Sequence, residues 1–76
     1  MSPKLPRVTG GELVRALERD AWYRTRQHGS HVVMRHPAKP GRAVVPVHAG
    51  RTLPPGIVAR TLQDAGLTLE ELRRLL

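Results

Sequence analysis

The order of patterns along the chain predicts an α+β fold, a two-layer sandwich in which helices cover one face of a three-stranded antiparallel sheet. Three observations carry this. Apolar residues recur at helical spacing over residues 10–20 and again over 57–65. Between them, residues 22–47 hold β-branched and aromatic runs broken by Gly and Pro. Two Thr-x-x-Glu stretches, Thr9 to Glu12 and Thr68 to Glu71, stand just ahead of apolar positions and fit capping boxes. With 76 residues the chain makes a single domain, 1–76, whose folding buries only about 60% of the surface of the unfolded chain. Its core has to be economical.

Residues 1–8 contain Pro3 and Pro6 and read as an extended lead-in. A first helix follows from about Gly10 to Asp20, with Leu13, Val14, Ala16, Leu17 and Ala21 as its apolar stripe and Arg15 and Arg19 on the polar side. At Trp22 the period changes. Trp22 to Arg26 fits a strand that buries one face and offers cations on the other. His28-Gly29-Ser30 makes the turn, and His31 to His36 is the second strand, with Val32 and Met34 on one face and His31, Val33 and Arg35 on the opposite one. After a loop from Pro37 to Gly41, Arg42 to Val47 is the third strand. Pro46 cannot donate to a ladder, which argues for a sheet edge or a strand end there. A Gly- and Pro-rich loop from His48 leads to a helix opened by Pro54-Pro55, with Ile57, Val58, Thr61, Leu62 and Ala65 as its apolar positions. Gly66 is placed to end it in the left-handed conformation, and the second capping box opens a short last helix carrying Leu72, Leu75 and Leu76. In a chain without Phe, Trp22 is needed in the core, which leaves Tyr23 as the aromatic for the open face.

The net charge is +7 and unevenly placed. All six acids lie near the two ends, and none occurs from Ala21 to Gln63, where Arg24, Arg26, Arg35, Lys39, Arg42, Arg51, Arg60 and all four histidines stand. The plain reading is a solvated basic surface. The sharper readings are a footprint for RNA or DNA, or a docking face for an acidic protein. Without cysteine there is neither a disulfide framework nor a thiolate zinc site, and the four histidines lack paired ligand spacing and a nearby carboxylate. No metal or cofactor is expected. No apolar run approaches the length of a membrane span, and residues 1–8 lack the apolar stretch of a signal peptide, so the expected location is the cytoplasm, with no membrane partner.

The chemistry is concentrated in Gln27 to His36. His31 follows the Gly29-Ser30 turn at the head of a strand, and imidazole, with an ordinary pKa of about 6.5, both gives and takes a proton near neutral pH. Arg24, Arg26 and Arg35 are candidates to hold a phosphate, and Gly29 lets an RNA backbone approach closely. RNA cleavage without a metal uses the adjacent 2′-hydroxyl as nucleophile, so the protein must supply a base, an acid and positive charge. One identified histidine is fewer proton carriers than that needs, which leaves solvent or a second histidine to complete the set. His48, beyond Val-Pro-Val, reads as structural or RNA-contacting, and His28 and His36 as solvent-facing. A binding module without catalysis, and a protein-docking domain, are the competing classes.

Five pieces in series, Gly29-Ser30-His31, His36-Pro37, Val45-Pro46-Val47-His48, Leu53-Pro54-Pro55-Gly56 and the run from Leu62 to Thr68, resemble HicA-type toxins across nearly the whole chain. The resemblance implies an αβββα fold like that of double-stranded-RNA-binding domains, here followed by the short C-terminal helix. It also implies an mRNA interferase held inactive by a HicB-type antitoxin, whose docking is expected to cover the basic face and His31. The family's catalytic histidine falls on His31, and Arg24, Arg26, Gly29, Ser30, Arg35 and His48 are the candidate RNA-binding residues. Two positions depart from the family pattern. Ala21 or Trp22 stands where it usually has Gly, and Ile57 follows the Pro-Gly where a small polar residue is common; both bear on helix ends and not on His31.

Overall fold

The computed structural model describes residues 5–76, which form α1 (Gly10–Arg19), β1 (Tyr23–His28), β2 (His31–Arg35), β3 (Ala43–Pro46), α2 (Pro55–Ala65) and α3 (Leu69–Leu75). The sheet order is β1-β2-β3 with both pairs antiparallel, so β2 is the centre and β3 an edge strand, which tolerates Pro46 because no ladder bond with β2 needs its N–H. The molecule is 17 Å across its shortest axis, the depth of one sheet and one helical layer. Of the lead-in, Met1 to Lys4 lie outside the described residues. Val8 is buried, its carbonyl accepts from Leu53 N (2.8 Å), and Thr9 bridges to Thr52.

The core lies between the layers. Val32, Met34, Ala43 and Val45 face the helices, and Leu13, Val14 and Leu17 of α1, Val58 and Leu62 of α2 and Leu72 of α3 cluster with them. Each such aliphatic side chain contributes roughly 1.5–3 kcal/mol on burial, so a domain of this size depends on nearly all of them. Trp22 joins them at 2% exposure and meets the His36 ring edge-on at 5.4 Å between centroids.

Helix starts are local and follow the sequence closely. Thr9 caps α1 by accepting from Glu12 N while Glu12 accepts from Thr9 N, and Thr68 and Glu71 do the same for α3. These hydrogen bonds to the charged carboxylate hold both glutamates below their ordinary pKa. The helix ends are matched too. In α2, Gly66 N donates to Gln63 O and Leu67 N to Leu62 O, with Gly66 at φ 65°. In α1, Ala21 N donates to Glu18 O and Trp22 N to Leu17 O, and Ala21 sits at φ 75°. Both are Schellman closures, but the second places a Cβ in left-handed backbone, which costs about 1–2 kcal/mol. Ala21 is exposed, so losing its methyl leaves no cavity. Ala21→Gly is therefore expected to stabilise the fold by about 1 kcal/mol, read as a higher denaturant midpoint with an unchanged slope. A lower midpoint would contradict the left-handed assignment.

One strand expectation needs correction. The first strand is Tyr23–His28, not Trp22 to Arg26, and all six of its residues are exposed; it buries neither face. It lies at the sheet edge outside the helical cover, and Trp22, just before it, supplies the burial. Val33 does stand on the open face with His31 and Arg35, yet is only 8% exposed, because on the central strand it is flanked by its register partners Arg26 and Val44.

Candidate active site

The β1–β2 hairpin turns in two residues, Gly29 and Ser30, of which only Gly29 takes a positive φ (56°). Gly at the first central position suits the turns whose twist matches a two-residue hairpin. Gln27 Nε2 donates to Gly29 O (2.9 Å), and Val47 N, one residue past β3, donates to Ser30 O (2.6 Å). The turn is thus tied to both neighbouring strands. His31, directly after it, is exposed and held in the ladder between His28 on β1 and Pro46 on β3.

Register decides which side chains share its face. Partners in an antiparallel pair point the same way. The pairs His28 with His31, Arg26 with Val33 and Tyr23 with Arg35, continued by Pro46 and Val44 on β3, put His28, Arg26, Tyr23 and Arg35 on the helix-free face beside His31. Tyr23 is 50% exposed there, as a base-stacking residue requires. Arg35 donates to Gly41 O (3.3 Å), which steadies its head group at the far end of the strand. No carboxylate stands among these residues.

Arg24 is not among them, contrary to its place in the phosphate-holding set. The β1 register shifts between Arg24 and Arg26, and Thr25 in the gap donates its hydroxyl to Val33 O (3.1 Å). This bulge breaks the alternation: Arg26 pairs with Val33 on the open face, whereas Arg24 pairs with Met34 on the helix side. There its guanidinium meets Glu18 of α1 at 3.6 Å.

The acid-free middle tract is therefore partly neutralised in space by acids from α1 and α2. Lys39 binds Asp20 (2.7 Å) and Ala65 O (3.1 Å), and Arg60 pairs with Asp64 (3.2 Å). Arg26, Arg35, Arg42 and Arg51 have no carboxylate partner among the described residues. The positive charge left over stands on the open face at Arg26 and Arg35, just before β3 at Arg42 and on the loop after β3 at Arg51.

The remaining histidines differ from one another. His36, expected to face solvent, is half-buried and structural: its Nε2–H donates to Asp20 O (2.7 Å) and its Nδ1 accepts from Ala38 N (3.0 Å) and Lys39 N (3.2 Å). It ties the end of α1 to the loop after β2. His48 is exposed, and with Arg51, Pro54 and Ile57 it lines a groove of ≈ 330 Å³ that begins at Pro46, the β3 partner of His31. His28 is exposed as expected, but its position opposite His31 follows only from reading His-Gly-Ser-His as a two-residue hairpin.

Chemically, the face offers two imidazoles, His31 and His28, paired across the hairpin, two guanidinium groups and a turn without bulk. Among the described residues no three His, Asp or Glu side chains are grouped to hold a metal ion, and no helix is long and apolar enough to cross a membrane. In comparison with known families, residues 10–67 match the HicA toxin of bacterial toxin–antitoxin systems, a span that runs from the start of α1 past α2 and contains the whole sheet. No match is found among curated proteins.

Proposed function

The chain belongs to the HicA toxin family, and from that premise we propose that it is an endoribonuclease that cleaves mRNA without a metal, with His31 moving a proton and Arg26 and Arg35 holding the phosphate. The observation that carries this reading is the open face itself. It sets an exposed imidazole on a pinned hairpin beside two guanidinium groups and no carboxylate. In-line attack by a 2′-hydroxyl on the adjacent phosphorus needs proton transfer and a counter-charge for the crowded transition state, and these residue types supply both. Gly29, at the tip, leaves room for the RNA backbone, and His48, on the loop after β3, lines a groove that reaches Pro46, the β3 partner of His31. The mRNA would be met in the cytoplasm, and no cofactor takes part.

Incubation of the protein with end-labelled RNA in excess EDTA is expected to yield 2′,3′-cyclic phosphate ends. Intact RNA would withdraw the enzyme reading in favour of a binding module. The bulge at Thr25 adds a finer expectation. Arg26→Ala should weaken RNA binding and reduce the slope of log affinity against log salt by about 0.7, one phosphate contact on a single strand, and Arg24→Ala should change it less. Equal effects would place both cations on the same side of the RNA.

The same unpaired cations suit an acidic inhibitor. A HicB-type antitoxin that meets Arg26, Arg35 and Arg42 with carboxylates would bury His31 and block RNA at one stroke. A complex that leaves His31 open and still cleaves RNA would refute this.

A further inference from the structure

Transfer of a phosphoryl bond from a 5′-oxygen to a 2′-oxygen moves two protons, one off the nucleophile and one onto the leaving group, and His31 is one group. A second carrier has to stand on the same face, within the span of one phosphodiester, with its ring free. His36 does not qualify, since both of its ring nitrogens are engaged by backbone. His48 belongs to a loop beyond the last paired residue of β3. His28 meets all three conditions. It is the register partner of His31 across the two-residue turn, a relation that brings the Cβ atoms to about 4.5–5.5 Å with both rings on the open face. Both side chains are exposed, and neither has a hydrogen bond or ion pair with any described residue. Hydrogen bonds from Gln27 to Gly29 and from Val47 to Ser30 hold the turn between them, so their separation is fixed by the ladder and not by a loop.

We infer that His28 is the second proton carrier, the acid that protonates the leaving 5′-oxygen while His31 is the base, an assignment that rests on the ribonuclease reading above. As the 2′-oxygen attacks phosphorus, its proton passes to the neutral His31 imidazole. The bond from phosphorus to the 5′-oxygen breaks with its electron pair on oxygen, and that oxygen takes the proton of the His28 imidazolium. The products are a 2′,3′-cyclic phosphate and a 5′-hydroxyl. His31 is left charged and His28 neutral, and exchange with water restores both, so no oxidant, reductant or metal enters the balance.

The test compares ordinary RNA with RNA that carries sulfur in place of the bridging 5′-oxygen at one position, because a thiolate leaves without needing a proton. His28→Ala and His28→Gln are expected to slow cleavage of ordinary RNA about 10²-fold or more and to cleave the sulfur-containing RNA at nearly the wild-type rate. His31→Ala is expected to fail on both. The pH dependence of kcat/KM should be bell-shaped for the wild type and lose its alkaline limb in His28→Gln. An equal loss on both substrates would make His28 a binding group and overturn the assignment, as would wild-type rates in both His28 variants. Rescue by sulfur in His48→Ala and not in His28→Ala would move the acid to His48. Failure of the wild type to cut either RNA would instead overturn the ribonuclease reading itself.

Discussion

His31→Ala is expected to lower the rate of RNA cleavage by about 10²–10⁴-fold, the usual contribution of a positioned acid or base, while leaving the protein folded. Its side chain is exposed and makes no hydrogen bond or ion pair with any described residue, so truncation leaves no buried partner unsatisfied. Surface changes of this kind cost within about 0.5 kcal/mol. The loss should therefore appear in kcat, with RNA affinity held by Arg26 and Arg35. Single-turnover cleavage, a direct RNA-binding titration and a denaturant midpoint on the same preparation separate the three quantities. An unchanged rate would remove His31 from the chemistry, and a loss that follows affinity alone would make it a contact residue.

The largest effect on stability expected from adding a single methyl group lies at Gly10. Gly10, the first residue of α1, is buried against the end of β3. A Cβ built there would overlap the Pro46 carbonyl oxygen and stand 2.8 Å from Val47 Cα. Both are backbone atoms and cannot swing aside. The helix cannot retreat easily either, since Thr9 is held by its capping box and by the bridge to Thr52. Gly10→Ala is expected to cost about 3 kcal/mol, at the upper end for overpacking and large for a domain of 76 residues. Gly11→Ala is the control. There the nearest atom outside the helix backbone is the mobile Arg15 guanidinium at 3.9 Å, and replacing Gly by Ala in a helix stabilises by up to about 1 kcal/mol. Chemical denaturation of the two variants should move the midpoint in opposite directions, and equal midpoints would contradict the close approach of α1 to β3. Pro46 is also the β3 partner of His31, so a fold that accommodated the methyl by shifting that strand should lose activity alongside stability.

What could be read from the chain is what is decided within about four residues. Thr9 with Glu12 and Thr68 with Glu71 start helices wherever they occur together, because a hydroxyl and a carboxylate three residues apart satisfy each other's backbone amides. Gly66 ends α2 and Gly29 turns the hairpin for equally local reasons. The α+β order, the membership of Val32 and Met34 in the core, and the place of His31 after the turn all follow from such signals. Other features depend on partners far along the chain. Period-2 alternation puts Arg24 and Arg26 on one face, and nothing in the residue types around Thr25 announces the bulge that separates them. One extra residue inverts the face of everything before it, and only the pairing with β2 determines where it falls. Likewise Asp20, Ala38 and Lys39 become the environment of His36 only when α1 and the loop after β2 meet. The sequence by itself determined the elements and the residue at the head of β2; the tertiary structure alone decided which cations stand beside it. Caps and turns are satisfied by near neighbours, whereas the face that a strand residue occupies is set by a register shared with another strand.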